Sequence, residues 1–233
     1  MKLLAIFLFL TAASGFADTI QFTGLPANTQ YGTYNGYVSA TIDGIPAQML
    51  ICDDFYHTTY VPSGLLDFSQ STLTGADPLQ YARFADPNQL GSSMAKYEEA
   101  AILLNGLRQT GPGLLLDLTA DYQYALWMLF TPGVASPNAT AQTLLNDAAD
   151  TVQQGEASNQ ALYSELRIFT PDAAYSSNQE FLQMAADPTL SPPPPLDFLD
   201  SAATPEPAPA VLIGIGIVAI GLSVGARCLR KRH

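Results

Sequence analysis

The chain is poor in basic residues, in histidine and in cysteine. Its 233 residues include nine Lys and Arg, two His and two Cys, against 21 Asp and Glu. Five of the basic residues lie at the two ends, so residues 18–206 carry four basic and 21 acidic residues, a formal charge of −17. Such a negative field repels phosphate backbones, which argues against nucleic acid as a partner and favours a well-solvated surface.

The shortage of cysteine excludes an internal disulfide from the central segment. Cys228 lies in the basic C-terminal tail, which leaves Cys52 without a partner cysteine in that segment. A lone cysteine in an exported domain is a buried inert thiol, one half of an intermolecular bridge, or a reactive group. Cys52 is therefore a candidate for chemistry as well as for packing.

The N-terminus has the features of a secretory signal peptide. Lys2 is followed by an apolar run over residues 3–13. Gly15 and Ala17 are small residues that fit positions −3 and −1 of a signal-peptidase site. We therefore expect residues 1–17 to be removed on export.

The C-terminus has the features of a membrane anchor. Residues 210–226 are uncharged and almost wholly apolar, and their 17 residues are about the fewest that cross a bilayer as a helix. A Pro-rich linker over residues 187–204 precedes this segment. A basic cluster follows it, which stays in the cytoplasm and places the preceding domain outside. The basic residues of the tail are Arg227, Arg230, Lys231 and Arg232.

The first part of the central segment, residues 18–186, has the pattern of antiparallel strands. Polar and apolar residues alternate near its start, and Asp43-Gly44 is a hairpin-turn signal. The segment that follows this turn predicts a returning strand over residues 47–55, which carries Cys52.

From about residue 92 the apolar spacing becomes helical. It predicts one helix that ends at Gly106, a second over residues 118–130, and a third that begins with Ser136 as its cap. Shorter helices are predicted over residues 159–168 and 177–186. The fold class predicted is therefore α+β, with an N-terminal antiparallel β region followed by a small helical subdomain, a Pro-rich linker and one transmembrane helix.

The C-terminal segment carries a recognisable order of parts. Pro205, Glu206 and Pro207 precede the apolar helix, and the basic tail follows it. Residues 205–233 resemble the PEP-CTERM sorting signal of Gram-negative bacteria. The resemblance implies an exosortase, a membrane-embedded processing enzyme, as partner, and cleavage near the Pro-Glu-Pro motif. It implies a precursor in the inner membrane with its C-terminus in the cytoplasm, and then release to the cell surface or its polysaccharide matrix. The alternative is a permanent single-pass anchor.

Three central segments carry the residues that suggest chemistry. They are LICDDF at residues 50–55, YEEAAILLN at 97–105 and YQYALW at 122–127. In order and character they resemble the thioester domain of bacterial surface adhesins. There a Cys near a strand end and a Gln within Gln-x-Ala-Ile/Leu-Trp form an internal thioester. The resemblance implies a bond between Cys52 and Gln123.

Formation of such a bond needs a group that accepts the thiol proton. Asp53 or Asp54 would serve if burial raised its pKa. Trp127 lies one turn after Gln123 and would shield the bond from water. An amine of a surface or matrix partner, protein or polysaccharide, would attack the thioester and remain covalently attached. The expected function is thus adhesion by single-use capture, with no turnover, no enzyme activity and no cofactor.

Other functions remain open from the sequence. A cysteine hydrolase would have to pair Cys52 with His57, five residues away, which is not a familiar arrangement. Asp53, Asp54, His57 and Asp67 carry metal-ligating groups, but their spacing fits neither a calcium loop nor a zinc site, so no metal is expected.

The remaining alternative is a non-covalent structural or matrix surface protein. It would adhere through a tyrosine-rich surface, since tyrosine is a favourable contact residue. The tyrosines in question are Tyr31, Tyr34, Tyr37, Tyr56 and Tyr60.

Overall fold

A computed structural model of the chain describes residues 17–25, 33, 35–110, 116–155 and 159–185. Within them, six strands form a closed antiparallel barrel in the order β1-β2-β3-β6-β5-β4. The strands are β1 (Ala17–Gly24), β2 (Val38–Ile42), β3 (Ile45–Cys52), β4 (Leu66–Ser71), β5 (Leu166–Pro171) and β6 (Phe181–Met184).

Four helices lie between β4 and β5 in the described chain, so the α+β class predicted from the sequence is confirmed. They are α1 (Leu90–Thr110), α2 (Leu116–Phe130), α3 (Ala139–Gln154) and α4 (Asn159–Glu165). The predicted order of strands first and helices last was wrong. The chain returns to the barrel after α4, and β5 and β6 complete the ring by pairing with β4 and β3. Closure leaves the sheet without open edges, which removes the risk of edge-to-edge association.

The hairpin between β2 and β3 turns where the sequence predicted. Asp43 and Gly44 both have positive φ, at 49° and 78°. A two-residue hairpin turn of this kind requires positive φ at both central residues, which Asp tolerates and Gly adopts freely. The Asp43 carboxylate also accepts a hydrogen bond from the Thr19 backbone N–H at 2.8 Å, which ties the turn to β1.

The barrel has two apolar layers because side chains alternate along each strand. On β3, Leu50 and Cys52 point into the barrel interior, together with Phe22 and Phe181. Ile51 points the other way and packs with residues of α1 and α2. Cys52 is thus the last inward-facing residue of its strand.

Helix α1 continues beyond the predicted stop at Gly106. The reason is packing against α2: a Cβ on Gly106 would lie 2.9 Å from the ring carbon Cζ of Tyr122, so the missing side chain allows the two helices to approach. Helix α3 begins at Ala139, with the Asn138 side chain accepting a hydrogen bond from the Ala141 N–H. Asn138 rather than Ser136 is therefore the N-cap residue.

Two further predictions of secondary structure were wrong. Residues 166–168 and 181–184, which were expected to be helical, belong to strands β5 and β6. The signal peptide, the linker and the sorting signal lie outside the described residues, apart from Ala17 at the start of β1. No helix in the part of the chain that the structure describes is long and apolar enough to cross a membrane.

Candidate functional site

Cys52 ends strand β3 and pairs with Phe181 of β6. Its side chain is 5% exposed, and it is the single cysteine among the described residues. The thiol donates to the Asp54 carbonyl oxygen at 3.0 Å, and the Asp54 backbone N–H lies 3.3 Å from the sulfur. These contacts fold the chain tightly around the thiol where the strand ends.

The environment of Cys52 holds the thiol in its neutral form. Burial raises its pKa well above the usual value, and the nearby carboxyl groups of Asp53 and Asp54 raise it further. The hydrogen bond with the Asp54 backbone and the indole of Trp127 act in the opposite direction. Since the thiolate is the nucleophilic form, any reaction at this sulfur needs a group that takes its proton.

Gln123 lies on α2 with its carboxamide against the end of β3. The side chain is 1% exposed, and its Nε2 donates to the carbonyl oxygen of Cys52 at 2.5 Å. Its Oε1 accepts from the backbone N–H of Gly36 at 3.4 Å. Both polar atoms of the carboxamide are thus held by hydrogen bonds. The nitrogen contacts the backbone of Cys52, the residue whose thiol is the candidate nucleophile.

Trp127 follows Gln123 by one turn and covers the same region. It is 5% exposed, and its ring lies edge-on to Phe55 and Tyr124, with centroids 5.1 and 5.0 Å away. The indole N–H has no well-aligned hydrogen-bond acceptor among the described residues, yet it lies near enough to the Cys52 sulfur to lower the thiol pKa. The structure therefore brings together Cys52, Gln123 and Trp127.

The Asp54 carboxylate is buried and surrounded by hydrogen-bond donors. It is 2% exposed and accepts a hydrogen bond from the Arg83 guanidinium. The Nδ1 of His57 lies 2.7 Å from the same carboxylate oxygen. Its other oxygen accepts the backbone N–H groups of Tyr56 and His57, at 3.2 and 3.3 Å. With so many donors around it, Asp54 is poorly suited to receive the thiol proton.

Arg83 connects this region to the turn before β6. Its guanidinium donates to the backbone carbonyls of Asn178 and Ser176, at 2.9 and 3.0 Å, as well as to Asp54. The sequence contained no signal for this role, because the partners lie more than ninety residues further along the chain. Arg83 fixes the segment that leads into Glu180.

Asp53 is fully buried beside Glu180, a neighbour that the sequence did not indicate. Both side chains are 0% exposed. Burial raises the pKa of Asp53 well above its usual range, and the charge and hydrogen bond of Glu180 raise it further. Burial also raises the pKa of Glu180, against hydrogen bonds from Thr170, Tyr97 and the Arg83 backbone. Of the two predicted acidic residues, Asp53 is the one in a strongly perturbed environment.

The other candidate residues are not brought together. His57 lies against Asp54, while Asp67 stands on β4 opposite Thr19 of β1. No group of three or more His, Cys, Asp or Glu that could hold a metal ion occurs in the described ranges. Of the tyrosines, Tyr37 packs against the helical core, and Tyr56 and Tyr60 are 70% and 64% exposed. Tyr31, Tyr34, the Pro-Glu-Pro motif and the basic tail lie outside the described residues.

Comparison with known proteins gives one weak likeness. No protein-family model matches the chain, and no curated protein matches its sequence. Among solved structures, the chain is similar to the N-terminal thioester domain of fibronectin-binding protein SfbI from Streptococcus pyogenes. The TM-score is 0.42 and the identity 10%, covering 78% of this chain and 100% of that one. A likeness of this size is too weak to assign a function.

Proposed function

We propose that the domain forms an internal thioester between Cys52 and Gln123 and uses it to capture an amine covalently. The observation that carries the proposal is the contact of the Gln123 carboxamide with Cys52. The carboxamide nitrogen donates to the Cys52 carbonyl at 2.5 Å, and both side chains are almost fully buried. The contact is with the backbone oxygen of Cys52, so it brings the residue that carries the thiol to the carboxamide. Groups that are held close together in a buried site react far faster than the same groups in solution.

The bond-forming step is balanced within the chain. The Cys52 sulfur attacks the carboxamide carbon Cδ of Gln123, so a sulfur–carbon bond forms and the carbon–nitrogen bond breaks. The nitrogen leaves as ammonia and takes with it the proton that the thiol gave up. The Gly36 N–H, which lies 3.4 Å from Gln123 Oε1, supports the negative charge that develops on that oxygen.

Capture reverses the chemistry with a different nitrogen. A partner amine attacks the Gln123 carbonyl carbon, a carbon–nitrogen bond forms and the carbon–sulfur bond breaks. The proton of the amine moves to sulfur, which restores the Cys52 thiol. The negative charge of residues 18–206 favours partners that present amines among other cationic groups, such as lysine-rich protein or amino-sugar polymers. Each domain acts once, so the function is adhesion rather than catalysis.

The intact mass of the purified protein tests the proposal. We expect wild type to be lighter than its sequence requires by one ammonia. Cys52→Ala and Gln123→Ala are each expected to have the full mass. Incubation with methylamine is expected to add one methylamine to wild type and to expose one thiol. A wild-type protein of full mass, with a Cys52 thiol that reacts once unfolded, would rule out the thioester.

Export and sorting form a second part of the proposal. The apolar N-terminus, the Pro-Glu-Pro motif and the basic tail support export followed by exosortase processing of residues 205–233. The cell surface or its polysaccharide matrix is then the site of action. A mature surface form that lacks the tail is expected by mass spectrometry. An intact Arg227 to His233 tail on that form would instead favour a permanent anchor.

A non-covalent surface protein is the second candidate function. It is favoured by the exposed aromatic and aliphatic side chains in the segment between β3 and β4. Tyr56, Tyr60 and Leu65 are 70%, 64% and 66% exposed. Such residues suit contact with a partner, since aromatic side chains dominate many interfaces. If Tyr56→Ser with Tyr60→Ser abolishes attachment to cells or matrix and Cys52→Ala does not, this candidate replaces the covalent one.

A further inference from the structure

Two carboxyl groups are buried together where the ladder between β3 and β6 ends. Cys52 pairs with Phe181, and one step further the Asp53 N–H donates to the Glu180 carbonyl at 3.4 Å. Residues opposite each other in an antiparallel ladder project from the same face. The Asp53 and Glu180 side chains therefore leave the sheet together, and both are fully buried.

Several hydrogen-bond donors reach Glu180, whereas none reaches Asp53 among the described residues. Glu180 accepts the Tyr97 hydroxyl at 2.6 Å, the Arg83 backbone N–H at 2.6 Å and the Thr170 hydroxyl. Both of its oxygens are used, as an ionised carboxylate requires. Neither oxygen of Asp53 has a hydrogen-bond donor among the described residues. Only a protonated Asp53, which donates to Glu180, leaves neither group an uncompensated buried charge.

The surrounding charges leave the pair with one proton. Arg83 directs its guanidinium to Asp54 and offers Glu180 only its backbone N–H. Burial and the neighbouring carboxyl groups raise the pKa of the Tyr97 phenol, which therefore remains a neutral donor. The titratable and charged groups that face the pair in the described chain are Cys52, Asp54, Arg83 and Tyr97, with His57 behind Asp54.

The pair lies beside the candidate reacting groups. The nitrogen of Gln123 donates to the carbonyl oxygen of Cys52, and that carbonyl belongs to the peptide bond joining Cys52 to Asp53. Asp53 also lies near enough to the Cys52 thiol to raise its pKa. The nitrogen that would leave thus lies at the peptide group that joins the thiol-bearing residue to the buried acid.

We propose that Asp53 and Glu180 share one proton and that this pair transfers protons during formation of the Cys52–Gln123 thioester. The proposal rests on the thioester proposed above. Asp53 gives its proton to the nitrogen that leaves Gln123, and the pair regains the proton that Cys52 loses, so the count on the pair is unchanged. Glu180 is the positioning residue, because it holds Asp53 protonated and oriented.

The test uses the reverse reaction, which passes through the same groups. The full-length protein is treated with ammonia at a series of pH values, and opening of the thioester is followed by intact mass and thiol titration. Asp53→Asn retains a donor for Glu180 but has no transferable proton. We expect opening by ammonia and re-formation to slow by about 10²–10⁴-fold. Once each rate is divided by the concentration of free-base ammonia at that pH, the pH dependence that remains in wild type should be lost in Asp53→Asn.

Two further variants separate chemistry from folding. Asp147→Asn, on the exposed face of α3, removes one carboxylate elsewhere and should leave rate and pH profile unchanged. Thr170→Val removes one donor to Glu180 from a partly exposed position. It should preserve the fold and move the pH profile upward, because Glu180 then holds a proton more readily. This variant decides the matter if Asp53→Asn does not fold.

The outcomes distinguish the two proposals. A thioester in wild type supports the shared proton if opening in Asp53→Asn is slow and independent of pH per free-base ammonia, or if the profile of Thr170→Val is shifted. A thioester in wild type whose rate and profile are the same in folded Asp53→Asn or in Thr170→Val overturns the proton transfer and leaves the thioester standing. A wild-type protein of full mass overturns both proposals, and it does so before any variant is needed.

Discussion

Gln123 donates its carboxamide N–H to the carbonyl oxygen of Cys52, 71 residues earlier in the chain. The contact joins helix α2 to the end of strand β3, and its oxygen side is closed by the N–H of Gly36. A carboxamide buried at 1% exposure is stable only when its polar atoms are paired. Loss of this contact should therefore lower the free energy of unfolding, whether or not the thioester forms.

The first prediction concerns the contribution of this contact to stability. Gln123→Ala removes the partner of the Cys52 carbonyl and the Gly36 N–H and opens space in a packed region. We expect a loss of about 2–4 kcal/mol in the free energy of unfolding, from the unpaired backbone groups together with the cavity. Urea denaturation measures it. Gln142→Ala, on the exposed side of α3, is the matched control and should change stability by less than about 0.5 kcal/mol. Equal stabilities would contradict the buried contact.

The second prediction concerns the approach of α1 to α2. Gly106→Ala places a Cβ 2.9 Å from Tyr122 Cζ, so the helices must separate or the ring must move. We expect a loss of about 1–3 kcal/mol, although alanine is the better helix former. Gly91 lies near the start of the same helix, and apart from its own helix backbone and chain neighbours a Cβ there meets nothing within 4 Å among the described residues, so Gly91→Ala should stabilise slightly. If both substitutions stabilise the protein in thermal unfolding, the close approach is absent.

How far the fold follows from the sequence depends on the range of the interactions involved. The turn at Asp43 and Gly44 was predictable, since two adjacent residues determine its backbone. The start of β5 and the whole of β6 were taken for helix because these strands are short, six and four residues long, and their periodicity is ambiguous. Their strand conformation is set by pairing with β4 and β3, which lie about 100 and about 130 residues earlier.

The candidate site, like the fold, was predictable only in part. The proximity of Cys52 and Gln123 was expected from a resemblance, and the structure places the two in contact. Glu180 and Arg83 were not expected, because nothing near them in the sequence indicates their partners. Glu180 meets Asp53 only because β6 closes the barrel beside β3. An acid directly before a short apolar run was the signal in the sequence, and it was obscured by the helical assignment.

The third prediction concerns Arg83, which binds a buried carboxylate. Arg83→Met removes the guanidinium from Asp54 and from the carbonyls of Ser176 and Asn178. Since Asp54 is 2% exposed, we expect a loss of about 3–5 kcal/mol. Arg167→Met provides the comparison. Within the part of the chain that the structure describes, its guanidinium bonds only the backbone carbonyls of Ser164 and Leu166, so its loss should lower stability by less than about 1 kcal/mol. Similar losses for both variants in urea denaturation would argue against a special role for Arg83.

The fourth prediction concerns pH and the start of β1. Burial, the hydrogen bond with Asp43 and the charge of Asp43 raise the pKa of Asp18 from 3.8 to about 6. An acid whose pKa is higher when folded binds its proton more tightly in the native state. Its contribution to stability is therefore full below pH 4 and is lost as the pH rises through 6. Asp18→Asn should raise the melting temperature at pH 7 relative to wild type and leave it similar at pH 4. Asp77→Asn, which changes an exposed acid in a loop, should leave the melting temperature similar to that of wild type at both pH values.

The last prediction concerns protection of the proposed bond. Trp127 packs against Phe55 and Tyr124, and its indole lies near the Cys52 thiol. We therefore expect its removal to admit water to the site. In Trp127→Ala, water should hydrolyse the thioester faster than in wild type. Hydrolysis raises the protein mass by one water, whereas opening by ammonia raises it by one ammonia. Trp127→Phe keeps most of the ring and loses only the indole N–H, so it should hydrolyse at an intermediate rate. The comparison separates exclusion of water from hydrogen bonding to sulfur: equal rates in the two variants would assign the protection to the N–H. Rates that equal wild type in both would show that Trp127 only stabilises the core.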